Sequence, residues 1–188
     1  MTYFSTPTVI TGDLWSAASH NLYLGDNLDD HESRILSLES GLFSGASVAL
    51  DALGQTITNA TEATISWDTE EFDTDAYWSA GSPTRLTLPT DGYYQIGGSV
   101  YWQGDATGIR VEKIRVDGGD YLDVHSANPA TASNRSRTLL VGPILLSAAS
   151  YVEVRVNQLS GDDLDVYGEQ SIPGRPTKFW IQRLEDTT

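Results

Sequence analysis

Apolar and polar residues alternate one by one through most of this chain. Between residues 93 and 103, Tyr94, Ile96, Val100 and Trp102 share one face, and Gln95, Ser99 and Gln103 share the other. Val152, Val154 and Val156 alternate in the same way with Glu153, Arg155 and Asn157. A period of two marks a half-buried strand of an antiparallel sheet. Ten strands are predicted: Ser47–Leu50, Thr64–Trp67, Arg85–Leu88, Tyr93–Gln103, Ile109–Val116, Tyr121–Val124, Arg137–Leu146, Tyr151–Gln158, Asp163–Tyr167 and Lys178–Leu184. They are short and separated by Gly, Asn, Asp and Pro turns, the pattern of a sandwich or barrel. Residues 42–188 are therefore expected to form one mainly β domain.

Four places break the regular pattern. Ile109 and Val111 are followed by Ile114 and Val116, a slip of one residue that predicts a bulge near Glu112–Lys113. Asp117-Gly118-Gly119-Asp120 supplies a tight turn. Pro143 inside an apolar strand cannot donate a ladder hydrogen bond, so an edge or a bulge is expected there. Gly97 and Gly98 lie in mid-strand, where they would admit a bulky neighbour.

The N-terminal region has a different rhythm. Residues 1–12, MTYFSTPTVITG, are uncharged and rich in Thr. They read as an extended anchoring arm or as a free terminus. Over 13–41 a helix is predicted, with Asp13 as its N-cap ahead of Leu14 and Trp15. Asn21, Leu24, Leu28, His31, Ile35, Leu38 and Leu42 recur at alternating steps of three and four, which is a heptad seam. Such a stripe packs either on its own domain or on copies of itself. Polar residues at seam positions, here Asn21 and His31, fix register and oligomer number.

Charge narrows the range of partners. The chain has 188 residues, 26 acidic and 11 basic, for a formal net charge of −15. Nucleic-acid binding needs clustered Lys and Arg to displace counterions from phosphates, and no such cluster is present. Cysteine is absent, which excludes disulfides and thiolate metal sites. No apolar run approaches the roughly 20 residues that span a bilayer, so no membrane partner is expected. No basic start precedes an apolar run at the N-terminus, so release by lysis or within a particle is expected rather than secretion.

Candidate chemistry is sparse. The three histidines, His20, His31 and His125, have no nucleophile elbow beside them. The acidic groups around Asp68–Asp75 and Asp162–Asp165 read as solvated loops. Asp73, Asp75, Asp162 and Asp163 are the places where a calcium ion would sit, although no loop has the helix–loop–helix calcium spacing. No other cofactor and no catalytic residue is expected. Tyr77 and Trp78, ahead of Gly81-Ser82-Pro83, are the candidate glycan-stacking pair.

Taken in order, several motifs carry a family resemblance. They are Ser44-Gly-Ala-Ser-Val48, Ile65-Ser-Trp-Asp68, Glu71-Phe-Asp-Thr-Asp75, Thr84-Arg-Leu-Thr-Leu-Pro89, Asp91-Gly-Tyr-Tyr-Gln-Ile96, Tyr151-Val-Glu-Val-Arg-Val-Asn157 and Phe179-Trp-Ile181. Together they resemble the jelly-roll domain shared by complement globular heads and tumour necrosis factor, in the versions found in tailed-phage structural proteins. The resemblance implies a ten-stranded antiparallel jelly-roll sandwich that assembles as a homotrimer. It also implies a virion role as a capsid-decoration or head-fibre protein. Residues 1–41 would bind the major capsid or tail protein and the head would project. The seam Asn21, Leu24, Leu28, His31, Ile35 and Leu38 would continue the threefold axis. In the head, Tyr94, Ile96, Trp102 and Phe179 are the side chains expected at the trimer contact, with Ile96 standing where the family signature has an aromatic. Two other functions are compatible with these residues. One is a receptor- or glycan-binding head of a tail fibre or bacterial adhesin; the other is a glycan depolymerase.

Overall fold

The two-residue period becomes two antiparallel sheets packed face to face. The computed structural model describes residues 43–51, 53–119, 121–127, 135–171, 173–174 and 177–184. The chain divides at Leu42/Phe43 into two units, and all described residues belong to the second. The predicted arm (1–12) and the heptad helix with its six seam residues lie outside the described residues.

Twelve strands are found among the described residues: β1 (Ser44–Ala49), β2 (Gly54–Ile57), β3 (Ala63–Thr64), β4 (Thr69–Asp73), β5 (Arg85–Thr87), β6 (Gly92–Trp102), β7 (Arg110–Val116), β8 (Tyr121–Ala127), β9 (Arg135–Leu146), β10 (Tyr151–Gln158), β11 (Leu164–Tyr167) and β12 (Lys178–Leu184). No described residue is helical. In the larger sheet the neighbours run β4-β1-β12-β6-β9, and β11-β2 joins the end of β6 where Val166 pairs with Trp102. In the smaller sheet the order is β8-β7-β10, and β3 and β5 pair different stretches of β10. β2 and β4 are additional to the ten predicted strands. β4 is the acidic run Thr69–Asp73, whose charges suit an edge strand as well as a loop.

The inward faces form one core. Trp67 stacks on Phe179 with centroids 5.8 Å apart, and Tyr77 meets Tyr94 edge-on at 6.4 Å. Tyr94, Ile96, Val100 and Trp102 from β6 are all buried, as are Val152, Val154 and Val156 from β10. Each fully buried side chain of this size contributes about 1.5–3 kcal/mol. Tyr94 also uses its polar tip, donating its hydroxyl to the Thr90 carbonyl at 2.7 Å.

Three of the local expectations meet clear outcomes. Asp117 and Gly118 have φ of 50° and 65°, and Gly119 N–H bonds to Val116 O at 2.9 Å. These are the features of a type I′ hairpin turn. β9 pairs with β6 alone, and its register slips so that Tyr94 opposes Ile144 while Ile96 opposes Val141. Gly142 and Pro143 therefore form a bulge on an edge strand, which satisfies both demands of the missing Pro143 N–H. The bulge expected at Glu112–Lys113 is misplaced. β7 runs in unbroken register against β10 from Val116 to Arg110 and slips only against β8, between Ile114 and Arg115. The residues that face inward are Arg110, Glu112 and Ile114, not Ile109 and Val111.

Two charged side chains thus occupy core positions at one end of the sandwich. Trp102 Nε1 donates to Glu112 Oε1 at 2.5 Å, and the Arg110 guanidinium lies 5.9 Å from the Trp102 ring centroid. Arg110 also donates to the carbonyls of Thr107, Ile109 and Asp105 at 3.0–3.3 Å and so ties down the loop before β7. Replacing Trp102 with Phe leaves a smaller aromatic ring and removes a donor to a carboxylate in a dry interior. The expected cost is about 1.5–3 kcal/mol of unfolding free energy, measured by urea denaturation; a loss below 0.5 kcal/mol (on the order of a surface substitution) would contradict this account.

Candidate functional site

The outward faces of the two sheets have opposite chemistry. In the larger sheet one registered row reads Phe72, Ser47, Trp180, Gly97, Leu140 across β4, β1, β12, β6 and β9. Another row joins Leu184, Tyr93 and Leu145. Between them lie Gly45, Gln182 and Gln95. Phe43 extends the surface, with its ring 5.5 Å from that of Phe72. Of the nine large hydrophobic side chains exposed among the described residues, five (Phe43, Phe72, Tyr93, Leu140 and Leu145) lie on this face. Leu140 and Leu145 are 55% and 64% exposed, more than enough to be felt by water. Five exposed large apolar side chains on one face of one sheet, even with Gln182 and Gln95 between the rows, are a concentration that a monomeric soluble domain seldom presents.

Trp180 is the centre of the face. A Cβ on Gly97 would fall 2.4 Å from the Trp180 ring, so the indole lies directly on the β6 backbone. The mid-strand glycine admits a bulky neighbour, as its position predicts. The glycine leaves Trp180 half-buried, with one side of the ring on the sheet.

The smaller sheet carries an ionic network instead. Glu62 contacts Lys113 and lies 3.3 Å from Arg155 Nη1 and 3.8 Å from Arg115 Nη1. Arg155 also meets Glu153 at 3.1 Å. Lys113 and Arg115 sit over the Tyr121 ring at 4.7 and 5.2 Å, and Arg85 sits over Tyr151 at 4.7 Å. Burial pushes the Glu62 carboxyl upward, but Lys113, Arg155 and Arg115 together outweigh it and hold the group below the usual carboxylate range. The pairing with Glu62 raises Lys113 against the smaller effect of burial. The charges of this face are engaged with one another or with aromatic rings within the subunit.

The side chains singled out in the sequence fall elsewhere. Tyr94, Ile96, Trp102 and Phe179, expected at the trimer contact, are each no more than 1% exposed and point between the sheets. They belong to the core face of their strands and leave no surface to give to a neighbour; the outward residues of the same strands, Tyr93 and Trp180, hold the exposed face. Tyr77 does not form a glycan shelf, because it is buried and its hydroxyl meets Ser44 Oγ at 2.6 Å. Burial raises its hydroxyl pKa well above the ordinary tyrosine value. Trp78 is half-buried and donates to the Pro83 carbonyl at 3.4 Å. The turn that buries this pair is held by Asp73, whose two oxygens accept the amides of Asp75, Tyr77 and Trp78 at 2.8–3.2 Å. Asp75 accepts from Thr74 Oγ1 at 2.8 Å, and Asp163 accepts the Asn59 amide at 3.0 Å. The Asp162 carbonyl, not its carboxylate, takes bonds from Gln158 and Ser160. Among the described residues no three His, Asp or Glu side chains come together in a way that could hold a metal ion. His125 is exposed on β8, with Nε2 3.3 Å from Asp123 Oδ2.

Comparison with known proteins bears on the architecture. No protein-family model matches the sequence, and no curated protein matches it. Solved structures do match. Eiger TNF from S. frugiperda superposes with a TM-score of 0.55 at 13% identity, over 78% of this chain and 97% of that one. Murine APRIL at pH 8.0 superposes with a TM-score of 0.56 at 12% identity, over 76% and 99%. The fold is the tumour-necrosis-factor jelly roll. At these identities the likeness concerns the path of the chain, and the mainly β antiparallel sandwich expected from the sequence is present.

The Glu62 network makes a signed prediction. Because the folded carboxyl is held below its unfolded value, its stabilisation is present above the unfolded pKa, near 4.3, and is lost as pH falls through the folded pKa. Glu62→Gln is expected to lower stability by about 1 kcal/mol at pH 7. The deficit relative to the parent chain is expected to shrink as pH falls below about 4. Paired urea titrations across pH check this; a deficit that grows in acid contradicts it.

Proposed function

We propose that this chain is a non-enzymatic structural protein whose jelly-roll domain acts as a homotrimeric head. Copies join through the outward face of the β4-β1-β12-β6-β9 sheet. The observation that carries the reading is the apolar surface around Trp180, with Phe43, Phe72, Tyr93, Leu140 and Leu145 exposed on one side of one sheet. The other sheet carries an ionic network on its outward face. A chain of net charge −15 repels its copies at long range. Association therefore needs a contact surface where charge is low and apolar area is high. At about 25 cal/mol per Å² of apolar surface, burial of obligate-interface size, on the order of 2,000 Å², outweighs that repulsion.

The finer reading places this head on a tailed-phage virion as a capsid-decoration or head-fibre protein. Residues 1–41 attach it to the capsid or tail, and their heptad seam continues the threefold axis. The motif order from Ser44 to Ile181 and the Thr-rich N-terminus support that placement. The non-enzymatic reading is supported by where the acidic side chains go: Asp73, Asp75, Asp163 and Glu62 serve backbone amides, a hydroxyl or ion pairs within the fold.

Light scattering of the purified chain tests the reading. The expected mass is three times the 20.4 kDa protomer. Leu140→Asp with Leu145→Asp, two exposed positions, is expected to weaken assembly at least about a hundredfold while leaving the far-ultraviolet spectrum and thermal unfolding of the protomer unchanged. A monomeric parent chain, or a trimer indifferent to both aspartates, would overturn it.

A further inference from the structure

One ionic group interrupts the apolar face, and its placement carries a second conclusion. In the row beside Trp180, Lys178 lies between Ala49 of β1 and Ser99 of β6. It is therefore about 7 Å along β12 from Trp180, two residues away on the same side. Glu71 sits where the β1–β4 register slips, between Phe72, which opposes Ser47, and Glu70, which opposes Val48. The slip turns Glu71 onto the same surface. There it contacts Lys178 and accepts the Ser47 hydroxyl at 2.8 Å on its other oxygen. Ser47 is itself only 5% exposed and lies in the Trp180 row. The Lys178 and Glu71 side chains remain 38% and 33% exposed in the single subunit.

We infer that Glu71, Lys178 and Ser47 form a charge lock within the self-association face, so that copies join most readily when both charges are present or both are absent. This rests on the self-association reading and specifies which residues of that face set its register. A neighbouring copy seated over Trp180 and Phe72 removes water from the pair. Two opposite charges in contact tolerate that, because their attraction strengthens as the surroundings become less polar. A single charge left by removing its partner does not, and the penalty falls on the assembled state. The pair is also neutral as a unit, so it adds nothing to the long-range repulsion between copies. Other groups near it are Asp51 and Glu169, which with Thr69 and Gly174 line the depression next to Lys178. Glu169 is engaged by the Gly174 amide at 2.6 Å. Burial pushes the Glu71 carboxyl upward, while Lys178 and Ser47 outweigh it and hold the group below the usual range, in keeping with a carboxylate kept charged at neutral pH.

The lock is tested by measuring the concentration at which full-length chains assemble, by sedimentation at pH 7.5, for the parent, Glu71→Gln, Lys178→Gln and the double variant. Each single change is expected to raise that concentration at least about tenfold. The double change is expected to return it to within about threefold of the parent, the non-additivity that marks coupled residues. Lys178→Gln has a further signature. Its Glu71 is stranded in the interface, so its carboxyl pKa rises, and lowering pH from 7.5 to 5.5 should strengthen assembly of that variant by more than it does the parent, whose own change reports the three histidines and the net charge. Single and double variants that all assemble like the parent, or a double variant no better than the singles, would overturn the lock and leave the trimeric reading standing. A parent chain that stays monomeric overturns both.

Discussion

Every side chain on a strand must go to one sheet face or the other, and in this domain one of those faces is always spoken for. β6 shows the constraint most clearly. It pairs with β12 and β9 along its length and meets β11 at its end. Tyr94, Ile96, Val100 and Trp102 are committed to the interior, and with them the register of three other strands is set. The chemistry of the exterior is then free to differ from sheet to sheet. The smaller sheet answers with Glu62, Lys113, Arg115 and Arg155, the larger with Trp180, Tyr93 and two leucines of β9.

Much of this was legible in the residues, and where it was not, the reason is physical. The alternation in β6 and β10, the Asp117-Gly118 turn and the Gly142-Pro143 irregularity were all readable, because each depends on local backbone chemistry. The inward positions of β7 were not. Ile109 and Val111 outrank Arg110 and Glu112 on any apolar scale, and only the Trp102 indole and the carbonyls of the preceding loop make charged residues tenable inside. β4 was hidden for a similar reason, since an edge strand of acidic residues resembles a solvated loop.

The exposed apolar face of the larger sheet lies opposite the stripe to which the sequence draws attention. The apolar stripe of β6, where the family resemblance places a contact between chains, is buried in the core of the single domain. A readable signal did exist. In β9 the sequence Leu139-Leu140-Val141 and Ile144-Leu145-Leu146 does not alternate, and a run that is apolar on both sides needs covering on both sides. Leu139, Val141 and Leu146 face the core, and Leu140 and Leu145 face out. Trp180 between Phe179 and Ile181 carries the same message in β12. The pair Tyr77-Trp78 reads as an exposed loop in sequence, but Asp73 accepts the amides of both residues and Tyr77 is buried in the core.

The kink at Gly142-Pro143 has a consequence for how many molecules meet. A straight, unprotected border strand invites the next molecule to continue the hydrogen-bond ladder, and that molecule offers the same border in turn, so growth has no natural end. β9 lies at such a border, pairing with β6 alone, and carries six apolar residues among its twelve. Its bend halfway along, at a residue with no amide hydrogen to offer, spoils it as a template. Under the proposed assembly, copies would be kept from edge-to-edge filaments and meet broadside, a geometry in which a ring of a few members can close.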